Sequence, residues 1–175
     1  MKDILLWFRK ISKSSNMEFV SEDYIYHFLN KIEENEAVFV HLQNKIIKEQ
    51  LLINAILTDE NLDVLKEDEY DLIWFIVVVI IGAIKDAVKS DIPALDKRIY
   101  QNWEEVNWKL WNETKAADFR EKLNPFFKNY PQEDLLAFLE DSLESDEEME
   151  INPVAQEITF VISKSLIDTF QEMIK

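Results

Sequence analysis

One run of the chain decides its fold class: Leu72 to Ile84, 13 residues without a charge. Its isoleucine and valine content favours a strand on propensity alone. A strand needs partners, and no second run of this kind exists in the sequence. The apolar pattern also continues through Ile84 into Ala87 and Val88 at helical spacing. The run is shorter than the roughly 20 residues that span a bilayer. It therefore reads as a helix that is apolar, and buried, on all sides. Gly82 within it costs about 1 kcal/mol relative to alanine. Its expected use is close approach by a neighbouring helix.

The rest of the chain supports an all-α domain. There is 1 glycine, there are 4 prolines, and strand-and-turn punctuation is scarce. A first helix is expected over Asp3 to Ser12, with Ile4, Trp7, Phe8 and Ile11 on one face. A second runs over Glu22 to Glu34 on the stripe Ile25, Phe28, Leu29 and Ile32. A third covers Glu36 to Leu57, and a short one Glu60 to Leu65 after Thr58 or Asp59. Asp91 and Pro93 look like a cap and first turn for a helix reaching Asn112. Thr114 reads as the cap of a helix that Asn124-Pro125 breaks, since a residue before proline leaves the helical region. Pro131 opens a helix to Leu143, Glu144 to Glu150 is a loop, and Asn152-Pro153 starts the last helix. The expectation is a single-domain bundle of eight or nine helices over residues 1–175, around the 72–84 helix.

Composition removes several kinds of chemistry. With no cysteine there is no disulfide framework, no zinc–cysteine site and no thiol nucleophile. One glycine cannot build a phosphate loop. His27 and His41 have no glutamate three residues before them, so the Glu-x-x-His of di-iron bundles is absent. The stretch Asp141 to Asn152 puts Leu143 where a calcium loop needs oxygen, and lacks its glycine and closing glutamate. No serine sits on a strand-turn-helix elbow. No catalytic residue, cofactor or metal is expected. The start, with only Ile4 to Phe8 continuously apolar, does not fit a secretory leader, so a cytoplasmic protein is expected.

Charge is the positive signal. The chain has 35 acidic and 19 basic side chains, net −16. Ten acids lie between Asn129 and Ser163 with no lysine or arginine among them: Glu133, Asp134, Glu140, Asp141, Glu144, Asp146, Glu147, Glu148, Glu150 and Glu157. The first 20 residues instead carry four bases against two acids. Nucleic-acid binding needs clustered cations, so it is not expected. A basic macromolecular partner is, with a steered, salt-sensitive encounter. The plain alternative is that the run is a solvated loop.

Aromatic residues offer anchors. At 100° per residue, Leu95, Ile99, Trp103, Val106 and Leu110 share a face. Tyr100 and Trp111 flank it, and Trp108 falls nearly opposite, beside Glu104. Trp108 is thus either an interface anchor or covered by another helix. The aromatics of residues 124–131 either plug the core or form a recognition loop. Phe160, Ile167 and Ile174 form a second seam on the 153–174 helix, which either packs a homodimer partner or is buried within the chain. The basic first helix could instead rest on a membrane through Trp7 and Phe8.

The sequence-level reading is a non-enzymatic interaction module. It engages a basic partner through Glu104, Trp108, Glu140, Asp141, Glu144, Asp146, Glu147, Glu148 and Glu150, as an immunity-type neutraliser or an adaptor would. One alternative is a ligand-binding or hydrolytic helical protein with a pocket lined by Asp and Glu. Another is a homo-oligomeric structural protein.

Overall fold

The uncharged run is helical, inside a helix that covers Glu67–Val88. The computed structural model describes residues 17–116, 118–145 and 150–174. Along them lie α1 (Glu22–Glu34), α2 (Ala37–Glu49), α3 (Leu51–Leu57), a 3-10 turn (Glu60–Val64), α4 (Glu67–Val88), α5 (Lys97–Glu113), α6 (Phe119–Phe127), α7 (Glu133–Leu143) and α8 (Pro153–Met173). The described residues contain no strand. The helix expected over residues 3–12 lies outside them. The architecture is the all-α bundle that the sequence implies.

Two long helices form the centre. α4 is buried without interruption from Ile76 to Ile84, and α8 from Thr159 to Gln171. α1 and α2 pack on α4, α5 and α7 pack on α8, and the two central helices touch each other. Gly82 has the use expected of it. A Cβ there would lie 2.4 Å from Cε1 and Cζ of Phe28 on α1, so only a glycine lets that ring sit on the helix. The seam Phe160 and Ile167 is wholly buried within the chain, and Ile174 is partly covered.

Several boundaries differ from expectation, each for a visible reason. The helix expected over Glu36 to Leu57 is interrupted at Gln50, whose φ and ψ are −106° and 65°. Its buried side chain accepts from the Leu95 N–H at 2.9 Å and donates to the Pro93 carbonyl at 3.1 Å. Asp91 caps nothing; it pairs with Lys45 at 3.2 Å and Lys85 at 3.4 Å. α5 starts later, at Asp96, whose carboxylate accepts from the Arg98 and Ile99 amides. Thr114 ends α5, and its hydroxyl donates to the Leu110 carbonyl; Asp118 caps α6 instead. Pro125 lies inside α6 rather than breaking it. It stands in the last turn, and the helix ends two residues later. Pro131 precedes α7, for which Gln132 is the flanking residue.

With one glycine in the chain, left-handed backbone falls to other residues. Lys89 closes α4 at φ 53°, and Asn129 turns the chain at φ 58°. Asparagine tolerates that region better than most. The aromatics of residues 124–131 are core plugs: Phe126 and Tyr130 are buried, and Phe126 meets Phe160 edge-on with ring centroids 4.9 Å apart.

Gly82→Ala tests the helix contact. Relief of the propensity cost, about 1 kcal/mol, should lose to overpacking of roughly 1–3 kcal/mol. Urea unfolding should show a net loss that Phe28→Leu recovers.

Candidate functional site

The described interior holds one dense polar cluster. Lys164 and Asp168 lie one turn apart on α8 and are 1% and 3% exposed. The ammonium donates to both Asp168 carboxylate oxygens, at 2.7 and 2.6 Å. Asp168 also accepts from the Tyr130 hydroxyl at 2.9 Å and from Asn107 Nδ2 at 2.9 Å. Asn107 reaches Ser165 Oγ as well, at 3.1 Å. The Lys164 ammonium stands 3.9 Å from the Tyr130 ring centroid, a cation–π contact. Burial lowers the Lys164 pKa, and Asp168 opposes that shift. Burial and the Asp168 charge push the Tyr130 hydroxyl well up.

The cluster resembles acid–base machinery in its residue types, yet it has the form of a structural tie. Its charges are saturated by one another, and its members are buried. No substrate can reach them without opening the bundle. Asn107 Oδ1, the Trp111 indole nitrogen and Ser163 Oγ are buried without a partner, the first of them on a residue of the cluster itself.

This cluster also explains α5. Its buried face is Tyr100, Trp103, Asn107 and Trp111, whereas Ile99, Val106 and Leu110 are only partly covered. The helix is turned by roughly a quarter-turn from the apolar stripe, because Asn107 faces Asp168. Trp108 consequently flanks the interface, half-buried and packed against the core. Glu104 is half-buried, accepts from the Tyr100 hydroxyl at 3.1 Å and feels the charge of Asp59.

The surface offers two further places. A depression of about 490 Å³ opens between Leu57, Leu62, Leu65 and Tyr70. Its charged walls, Asp59, Asp63, Lys66 and Glu67, are all exposed, so it holds no desolvated acid or base. Among the described residues no group of histidine or carboxylate side chains could hold a metal ion. Among the same residues no helix is long and apolar enough to cross a membrane.

The second place is the edge where α1 meets α7. Buried Gln132 accepts from the Val20 N–H at 2.9 Å and donates to the Glu18 carbonyl at 3.2 Å. That lays residues 18–20 at the start of α7 and leaves Phe19 exposed, at 49%. The Glu22 N–H donates to Asp134 at 2.8 Å. One turn further, Tyr26 is 55% exposed. Its hydroxyl pKa is raised by a hydrogen bond to Glu22, then by the Glu22 charge, with a smaller push from Asp141. Arg120 of α6 gathers Asp141 at 3.3 Å and Glu144. Burial raises the Glu140 pKa; Arg120 opposes, while Asp141 and Glu144 add to the rise.

The structure thus brings Glu140, Asp141 and Glu144 together around Arg120. Glu104 sits beside Asp59 instead, Glu150 is exposed, and Asp146, Glu147 and Glu148 lie outside the described residues. Sequence reasoning passed over Phe19 and Tyr26. Tyr26 lies more than 100° from the centre of the Ile25, Phe28, Leu29 and Ile32 stripe at about 100° per residue, which is a legible signal. Phe19 precedes the helix and has no period to place it.

Comparison with protein-family models, curated proteins and solved structures finds no match to this chain.

Two outcomes test the assignments above. Asp168→Ala leaves the Lys164 ammonium buried without its counter-charge, and should cost about 3–5 kcal/mol by urea unfolding. Lys164→Met should cost less, because Asp168 keeps Tyr130 and Asn107 as donors. Glu104 has a raised pKa, chiefly from burial. Its stabilising contribution is therefore full at low pH and lost as pH rises through the raised value. Glu104→Gln removes that loss, so the thermal midpoint should rise at neutral pH and not below about pH 3.

Proposed function

We propose that the protein is a non-enzymatic interaction module that captures a basic macromolecular partner on the α1–α7 edge, in the manner of an immunity-type neutraliser or an adaptor. The observation that carries this reading is the pairing of exposed Phe19 and Tyr26 with the acidic margin of Glu18, Glu22, Asp23, Asp134 and Asp141. Exposed aromatics supply the anchor that an acidic surface lacks, and aromatic anchors carry much of an interface's energy. Surrounding carboxylates steer a cationic partner toward them and make capture salt-dependent. Arg120 partly neutralises Asp141 and Glu144 and holds them in place. Phe19 and Tyr26 take over the anchoring role that the sequence offered to Trp108.

A lysine–leucine amphipathic peptide serves as a defined probe, with binding followed by fluorescence anisotropy across a salt series. Affinity should fall as salt rises. Tyr26→Ala or Phe19→Ala should weaken binding at least about fivefold, corresponding to about 1 kcal/mol. Asp63→Asn with Glu67→Gln, in the depression, should leave it unchanged. Equal affinities for all variants would contradict the assignment.

A further inference from the structure

A second exposed apolar surface helps define what the α1–α7 edge accepts. On the outer side of α2 and the start of α3, Val40, Ile47 and Leu51 are 45%, 38% and 72% exposed. Lys45 and Lys48 lie on the same helix, with Glu49 as its acid. Lys45 is paired with Glu49 and Asp91, so that face has no excess of acid, whereas the α1–α7 edge has one.

The chain carries such a segment next to that edge. The 16 residues before Met17 hold four bases, Lys2, Arg9, Lys10 and Lys13, against the single acid Asp3. They also hold Ile4, Trp7, Phe8 and Ile11 at helical spacing. They join the described chain two residues before Phe19, which Gln132 fixes against α7. Nine residues of chain, from Phe8 to Met17, reach up to roughly 30 Å. This is enough to cover Tyr26 and Asp141.

We propose that the basic segment of residues 1–16 occupies the acid-and-aromatic edge of α1 and α7 in cis, and so competes with the basic partner for it. This rests on the reading of that edge as the partner's site. Trp7 and Phe8 match the exposed Phe19 and Tyr26 in kind, and Arg9, Lys10 and Lys13 match Asp134, Asp141 and Glu144 in charge. Tethering makes weak contact sufficient. A short connection gives an effective concentration in the millimolar range, so an intrinsic dissociation constant near 0.1 mM keeps the edge about 90% covered. An incoming partner's affinity then falls by about tenfold, the fraction left open.

The test uses the full chain. Carbodiimide coupling in dilute, low-salt solution joins lysine amines to nearby carboxylates without a spacer. Mass mapping should find links from Lys10 or Lys13 to Asp134, Asp141 or Glu144 within one chain. The Phe19→Ala/Tyr26→Ala variant retains every coupling group and should form fewer. Links scattered over Asp63, Glu67 and Glu105, or found only between two chains, overturn the cis docking. Competition is read with the Trp7→Ala/Phe8→Ala variant, whose charge is unchanged. It should bind the lysine–leucine peptide several-fold more tightly than the parent, and an unchanged affinity overturns the competition. A peptide that binds neither chain removes the partner-site reading of the edge and the competition with it, while the coupling map still decides whether the segment docks.

Discussion

Asp168 is the constraint around which the second half of the bundle is arranged. One buried carboxylate accepts from Lys164, Tyr130 and Asn107. Those donors come from α8, from the turn between α6 and α7, and from α5. Burying an ion pair costs several kcal/mol per ion, and full hydrogen bonding is what makes it tolerable. A carboxylate with fixed donors also accepts fewer arrangements than an apolar contact would. The rotation of α5, the burial of Tyr130 and the internal use of the α8 seam all follow from where Asp168 points. The same saturation separates the cluster from solvent and from chemistry.

The remaining joints follow a related rule. Buried side chains from distant elements hold backbone that no helix satisfies. Gln50 holds the segment before α5, and Gln132 holds residues 18–20. Glu69 accepts from the Lys66 and Asn152 amides, tying the start of α4 to the start of α8. A chain with one glycine has few tight turns that satisfy themselves. Its connections are therefore pinned from outside. Two of these pins, Gln132 and Glu69, also set the geometry of surface edges, and Gln132 leaves Phe19 facing solvent.

How much of this was legible depended on whether the signal was local. α4 could be read because its composition and missing strand partners leave one solution. The Asn152-Pro153 start of α8 was legible because cap chemistry lies within one turn of the helix it starts. The break at Gln50, the true start of α5 and the survival of α6 through Pro125 depend on tertiary partners or on position within the last turn. The α5 face was misjudged because Asn107 looks like a surface residue until Asp168 is placed opposite it. On α8, Lys164 and Asp168 look solvent-facing for the same reason. At the candidate site, the acids of α7 were legible as charge. Their gathering by Arg120, and the setting of Tyr26 and Phe19 beside them, were not.

The proposal is a separation between a rigid interior, tied around Asp168, and an acidic aromatic edge that would receive cations. Hydrogen exchange of the full chain, with and without the lysine–leucine peptide, tests that separation most directly. The account predicts that α8 amides around Lys164 to Thr169 are among the slowest in the free chain and remain unchanged on binding. Slowing should be confined to residues 18–26 and to α7. Slowing centred on α2 and α3, or on the Asp59 to Tyr70 depression, or faster exchange in α8 on binding, would contradict it.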